Sequence, residues 1–509
     1  MTRALVALSL ALLAVRILSA AVVVVQPGFT DAYYYVDVAR RLAHGQGLTA
    51  DFVWNFLEAP RFAELPVASH RFWMPLASVV QAGGIAIAEP LLGTFRAAQA
   101  AIIAVAAFVP PLAYAAARSI GASPRFALVA AALTGVGAGA FAPAWVTVDS
   151  FAIAAVLGTG FFIAIGRAAG GSVAAGVLAG LCVGLLFLAR AEGALFGLAL
   201  LALAGRRTSL RAGVVGAAVA MAIGVAWLAR GALLGGSPDL LARTIFLARY
   251  EDFFAINPSG SADLGTIVGQ RVGALYTDLV ILLLSLFLLL AYPLVLGARA
   301  AWRLASVRTF VGLALLLYVV EALVWPLHAT RGSYFHSLAA FYPFAMALVA
   351  FGGERWLATR AAGVAALATA ATLGAAMAFG AFGLVLWDAT YNGGYRARVA
   401  ALDAIPPGPF LAVDGAAWRW IADRPVFVTP ADGPDWAACA AAKYGATSVV
   451  LESVHFSAYA HVYDGERLSF AGAPVERGTI RIYPITGTLR CVVGTDRAAA
   501  DTVRGRALP

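Results

Sequence analysis

Apolar runs about as long as a bilayer crossing recur from the start of this chain to near residue 390. They limit its fold more than any other feature. A crossing helix needs about 20 apolar residues, and candidates lie at 4–25, 96–117, 126–143, 150–166, 173–190, 193–205, 213–235, 273–297, 309–327, 336–352 and 361–387. Only 12% of the 509 residues are charged, against about 25% in soluble domains, so most of the chain is expected in lipid. The segment 73–92 is equally apolar, but Pro75, Gly83, Gly84, Glu89 and Pro90 interrupt it.

Arginine placement decides how that segment lies. Lys443 is the only lysine, and the arginines stand in groups between the apolar runs. If 73–92 does not cross and the N-terminus is cytoplasmic, then Arg118, Arg125, Arg167, Arg206, Arg207, Arg211, Arg299, Arg303, Arg308, Arg355 and Arg360 all fall on the cytoplasmic side. That is the distribution membrane proteins favour. If it crosses, every group flips outward. The segment is therefore read as an interfacial or re-entrant helix. The chain is then an α-helical polytopic membrane protein with about 11 crossings, a cytoplasmic start and an external end. The opening run reads as an uncleaved span, because Gln26-Pro27 follows it without a small-residue cleavage site. Arg16 within it is expected to face the bundle rather than lipid. Arginines scattered in this way do not form the basic stripe of a nucleic-acid binder.

This arithmetic brings 26–95, 144–149, 190–192, 236–272 and 328–335 to one face, together with 388–509. The stretch 27–75 alone gathers Asp31, Asp37, Asp51, Glu58, Glu64, His44 and His70. From Asp388 onward, short β-rich runs (409–413, 426–429, 448–452, 479–483) alternate with helical stretches (395–404, 416–422, 435–444). That alternation suggests a small α/β domain. The expected organisation is a transmembrane domain over 1–387 and a soluble extracytoplasmic domain over 388–509. The latter has no glycine-rich phosphate loop. Cys439 and Cys491 share this domain and either pair, if the compartment is oxidising, or remain two buried thiols; Cys182 reads as packing. No zinc-type cysteine spacing occurs.

Several polar residues at the external ends of spans could carry chemistry. Asp31 follows the first span, where low dielectric and a bound substrate would bring a carboxylate into general-base range; the plainer reading is that Thr30 or Asp31 caps the helix expected at 32–42. Tyr34 and Tyr35 offer rings for a sugar, and interfacial tyrosines are also ordinary anchors. Asp149, between two spans, is a helix cap or a second acidic group for base or metal duty. Arg190 with Glu192, Arg249 and Arg331 are candidate phosphate clamps, since a planar guanidinium matches phosphate oxygens. Arg331 is favoured among them, with Gly332 beside it and His328 and His336 flanking. Glu64 and His70 could share a metal, although their spacing matches no dedicated motif. Glu321, inside a span, pairs with an arginine or marks a lipid path.

Pro-Gly-Phe-Thr-Asp31-Ala-Tyr-Tyr-Tyr with Ala39-Arg-Arg-Leu-Ala-His-Gly-Gln-Gly47 resembles the first external loop of GT-C membrane glycosyltransferases, in particular the protein O-mannosyltransferase and lipid A aminoarabinose transferase group. His70-Arg-Phe-Trp-Met-Pro75 resembles the segment after that loop, Val148-Asp149-Ser150 the second external loop, and Arg190-Ala-Glu192-Gly a later span end. The resemblance covers roughly the first 350 residues. It implies the GT-C fold, Asp31 as catalytic base, Asp149 as a second acidic residue, and substrate contacts from Tyr34, Tyr35, His70, Arg190, Glu192, Arg249, Arg331 and His336. It further implies a polyprenyl-phosphate-linked sugar as donor, with a hydroxyl on protein, lipid or glycan as acceptor. No cofactor is required by this reading, although a divalent metal is allowed. Ala32 stands where the family usually has an acidic or polar residue. The loop has no lysine to match the aminoarabinose branch, and no Trp-Trp-Asp motif is present. The expected activity is inverting transfer at the outer face of the cytoplasmic membrane. A lipid or sugar transporter or flippase is the competing reading, and a non-catalytic scaffold is a third.

Overall fold

The computed structural model describes residues 2–57, 63–137, 141–234, 244–258, 262–487, 489 and 491. Glu58 lies outside them. The chain divides into two compact units. One comprises Met1–Leu48, His70–Ile245 and Leu264–Asn392, and the other Thr49–Ser69, Phe246–Asp263 and Gly393–Pro509.

The first unit is helical. Among the described residues, seven helices are long and apolar enough to cross a membrane, beginning with Arg3–Val22, Thr94–Ser119 and Phe151–Ala168. Leu76–Leu92, Pro124–Val136, Val173–Ala189 and Ala191–Ala204 are shorter apolar helices. The protein is thus a multi-pass membrane protein. Packing follows the glycines and alanines: a Cβ on Gly176 or Gly180 would collide with the carbonyl oxygens of Ala212 and Gly216. Without a hydrophobic drive between helices in lipid, such close backbone approach is what holds them together. Arg16 is 4% exposed and donates to the carbonyls of Ala106 and Gly135 at 2.6 and 3.4 Å, so it does face the bundle.

Against about 11 expected crossings, seven described helices have the length, and several runs are divided differently from expectation: the helix in 126–143 is Pro124–Val136, and 336–352 holds Ser333–Leu338 followed by Tyr342–Leu357. The run 273–297 is not one helix: Leu264–Ser285 ends, Phe287 and Leu288 take positive φ, and Ala291–Ala300 begins afresh. Pro293 explains the break, because its ring clashes with the carbonyl four residues earlier and it has no N–H to donate there. The segment 73–92 forms an unbroken helix, Leu76–Leu92, with Pro90 tolerated in its last turn. Its 17 residues span about 26 Å at 1.5 Å per residue, somewhat less than the hydrocarbon core of about 30 Å. It buries Ala77, Ser78, Gln81, Ala82 and Ile85 and leaves Ile87 and Leu91 outward.

The strands of the second unit are β1 (Thr49–Ala50), β2 (Phe52–Val53), β3 (Val67–Ala68), β4 (Phe410–Ala412), β5 (Val426–Val428), β6 (Ser448–Leu451), β7 (Val475–Arg477) and β8 (Ile480–Pro484). Strands β1 and β3 pair with each other, and the rest form a six-stranded sheet of order β2-β5-β4-β6-β8-β7. The first four in that order run parallel, with β8 and β7 antiparallel to their neighbours. Helices Gly415–Ala422 and Pro434–Tyr444 make the crossovers that parallel strands require. Cys439 and Cys491 are disulfide-bonded. A boundary drawn at 387/388 therefore misses two pieces. The segments 49–69 and 246–263 leave the helical sequence to join this unit, where Val53, Phe56, Ala255 and Ile256 enter its apolar core. A two-residue strand such as β2 is too short to show in a hydropathy pattern.

Candidate active site

Helix Thr30–Ala43 carries Asp31 in its first turn, where the helix dipole favours an anion. The cap position expected for Thr30 or Asp31 belongs to Phe29, which makes no side-chain capping bond. Asp149 likewise is not a helix cap. Ser150 holds that position ahead of Phe151–Ala168, and its amide and hydroxyl both donate to Asp149 Oδ1, the hydroxyl at 2.9 Å.

His336 completes the arrangement. Gly332 lies in a left-handed turn with φ 111°, and the short helix Ser333–Leu338 that follows brings the imidazole back over it. Nδ1 lies 3.0 Å from the Gly332 carbonyl. A carbonyl can only accept, so Nδ1 carries the proton and donates. Nε2 is thereby left facing Asp149 Oδ2 at 3.4 Å. Phe151 stacks on the ring with centroids 4.3 Å apart, and Phe29 meets it edge-on at 5.7 Å. One ligand atom each from Asp31, Asp149 and His336 lies within 4.8 Å of the others. Asp149 is buried, which alone would raise its pKa. When the His336 ring carries a second proton, its charge, then the Ser150 amide and Arg190, outweigh burial and hold the carboxyl below its usual value.

A second network lies beside the first. Arg190 reaches Glu192 at 3.2 Å, the Ser333 hydroxyl at 3.1 Å and the Ser337 hydroxyl at 3.3 Å. Ser333 stands 3.0 Å from Glu192 and 3.1 Å from Glu321, and Ser337 donates to Glu321 at 3.3 Å. Tyr35 connects the two groups electrostatically. Burial, then Asp149 and Asp31, push its phenol well up, while Arg190 opposes them.

Other sequence candidates have different surroundings. Tyr34 is buried, and its hydroxyl accepts the His70 amide at 2.6 Å. The His70 ring nitrogens lie 3.1 Å from the Trp73 carbonyl and 3.1 Å from the Ser78 hydroxyl, and burial pushes its pKa down to about 3. With both nitrogens engaged, this ring offers no lone pair to a metal. Glu64 is exposed and belongs to the second unit, whereas His70 belongs to the first. Arg249 is also in the second unit and pairs with Asp252 at 3.5 Å. Arg331 is exposed at the turn before Ser333.

Sequence reasoning missed Phe29, Phe151, Ser333 and Ser337. The spacing of Ser333, His336 and Ser337 at i, i+3 and i+4 was an available signal, since it puts all three on one helical face.

No protein-family model matches the sequence, and no curated protein matches it. Solved structures do. A structure of ArnT from Cupriavidus metallidurans bound to undecaprenyl phosphate shares 15% identity over 95% of this chain and 98% of that one, with a TM-score of 0.61. The oligosaccharyltransferase of Archaeoglobus fulgidus shares 14% identity over 89% of this chain and 69% of its own, with a TM-score of 0.54. The arabinofuranosyltransferase AftD from Mycobacteria gives 14% identity and a TM-score of 0.53 over 96% of this chain but 40% of its own. At such identities the likeness is one of architecture, and that architecture is the GT-C fold.

Proposed function

We propose that this chain is a glycosyltransferase that moves a sugar from a polyprenyl-phosphate carrier to an acceptor hydroxyl, with Asp31 as general base. The observation that carries the reading is the convergence of Asp31, Asp149 and His336 within 4.8 Å, from three segments far apart in sequence. The fold likeness to structures solved with undecaprenyl phosphate and with dolichol phosphate supports the donor class. In the step proposed, the acceptor hydroxyl passes its proton to the Asp31 carboxylate. Its oxygen then bonds to the anomeric carbon, and the bond from that carbon to the phosphate oxygen breaks. The electron pair leaves with the lipid phosphate, and the anomeric configuration inverts. A positioned base of this kind contributes roughly 10²–10⁴ in rate. His336 and Ser150 fix Asp149 beside the base. Arg331, exposed on the turn leading to His336, is the arginine proposed to meet the departing phosphate. Arg190, held by Glu192 and two serines, serves to position.

The trio also suits a divalent cation. A ligating histidine characteristically donates its other ring nitrogen to a carbonyl, as His336 does to Gly332, and Asp149 Oδ2 and His336 Nε2 make no hydrogen bond of their own. Asp31, Asp149 and His336 would hold the ion, and its charge would offset that developing on the leaving phosphate.

The working compartment proposed is the outer face of the cytoplasmic membrane, with a cytoplasmic N-terminus and an interfacial 76–92 helix. The arginine groups and the Cys439–Cys491 disulfide, a bond of oxidising compartments, support that side. The experiment is to reconstitute the protein with undecaprenyl-phosphate-linked mannose, glucose or arabinose and a mixed envelope-lipid and peptide acceptor pool. Acceptor-dependent release of free undecaprenyl phosphate is expected. A transporter would move the glycolipid intact and release none.

A further inference from the structure

We propose that the second unit carries a sugar-binding cleft of its own, formed between the start of helix Pro434–Tyr444 and the 461–469 segment. Its volume is about 480 Å³, and Asp432, Asp435, Trp436, His461, Glu466 and Arg467 are among the residues that line it. Ligand pockets typically measure roughly 300–1,000 Å³, so one or two monosaccharide rings are of the right size.

The chemistry of the lining selects the guest. Asp435, Glu466 and Arg467 are exposed, and Trp436 is half-buried with part of its ring packed on the apolar core of the unit. An indole anchored in this way is a rigid surface on which the C–H face of a sugar ring can lie, with its N–H as a polar handle. Carboxylates accept from vicinal hydroxyls, and the guanidinium and imidazole donate to ring and hydroxyl oxygens.

Other guests fit less well. A phosphate or nucleotide would meet Asp432, Asp435 and Glu466 in the same cleft. A cationic peptide would meet Arg467 and His461. A metal ion needs converging ligands, and among the described residues only Asp31, Asp149 and His336 bring three such atoms within 4.8 Å. The acids here are spread out, as a polyol with several hydroxyls requires. Asp432 is also committed in part, since its two oxygens accept the amides of Ile256 and Asn257 at 2.6 and 2.8 Å. These bonds fix Asp432 in the lining.

The cleft is independent of Asp31 chemistry, so binding tests it without turnover. The full-length protein in nanodiscs is passed over an array of neutral, acidic and amino-bearing oligosaccharides. Wild type and Asp31→Asn are expected to retain the same neutral glycans. Trp436→Ala and the double variant Asp435→Asn/Glu466→Gln are expected to lose at least tenfold in retention with unchanged thermal unfolding. Should Trp436→Ala unfold the unit, Trp436→Phe keeps the packing and is expected to retain weakened binding. Absence of retained glycans for wild type, equal retention by every cleft variant, or displacement of the glycan by oligolysine would each overturn the assignment. Loss of glycan retention in Asp31→Asn alone would place the binding at the first unit's site instead.

Discussion

His336 presents Nε2 to Asp149 Oδ2 at 3.4 Å while its Nδ1 is committed to the Gly332 carbonyl. The pair is a buried carboxylate facing a ring whose tautomer the backbone has already chosen. Removing the ring takes away the positive charge that a protonated imidazole sets beside the buried Asp149 carboxylate, and leaving a buried charge uncompensated costs more than the ~1–3 kcal/mol of an unsatisfied neutral group.

His336→Ala is accordingly expected to lower transfer by roughly 10²–10⁴ and to lower thermal stability. His336→Gln is expected to recover part of the stability and little of the turnover. If a divalent ion binds the trio, millimolar Mn²⁺ will raise the unfolding temperature of wild type and leave that of His336→Ala unchanged. An equal shift in both proteins would remove the ion from this site.

The loop that delivers Asp31 is held from the far end of a long helix. Gly28 has φ +103°, and a Cβ there would strike the Trp387 ring. Its amide donates to Gln26 Oε1 at 2.6 Å, and Gln26 Nε2 donates to Asn392 Oδ1 at 3.0 Å. Gly28→Ala combines a backbone conformation that L-residues resist with overpacking, and is expected to destabilise by about 1–3 kcal/mol. Thermal unfolding in detergent measures it, and an unchanged midpoint would mean that the contact yields freely.

His70 gives a dependence on pH with a definite sign. Its folded pKa is pushed down to about 3 from 6.5, so between those values the unfolded chain binds more protons than the native one. Stability from this group is full above pH 6.5 and is lost as pH falls toward 3, by at most about 1.4 kcal/mol per pH unit. His70→Asn tolerates the positive φ of 59° at this position and is expected to flatten the slope of unfolding temperature between pH 6 and 4. A slope as steep as wild type would assign the effect to other groups.

How much of this was legible in the sequence follows from which interactions are local. The helical membrane region, the inward Arg16 and the alternation of strand and helix toward the C-terminus rest on composition or short-range periodicity, and the structure has them; of the runs read as crossings, seven described helices have the full length. Asp31 and Asp149 were legible as residue types at span ends, because charge is rare enough in this chain to stand out. What the sequence hid was long-range. The two-residue β2 belongs to a sheet whose next strand lies more than 350 residues away, whereas the break ahead of Pro293 was marked locally by that proline and masked only by the leucines around it. His70 reads as a polar loop residue, yet its partners Trp73 and Ser78 close around it only once the loop folds. His336 was visible, but its proximity to Asp149 depends on the left-handed turn at Gly332, which hydropathy does not record.

The most direct measurement is turnover of Asp31→Asn. The amide keeps the size of the side chain and cannot take the acceptor's proton. In proteoliposomes supplied with the undecaprenyl-phosphate sugar that wild type uses, acceptor-dependent release of undecaprenyl phosphate is expected to fall by roughly 10²–10⁴, with thermal unfolding unchanged. Release at the wild-type rate from a folded Asp31→Asn protein would contradict the account.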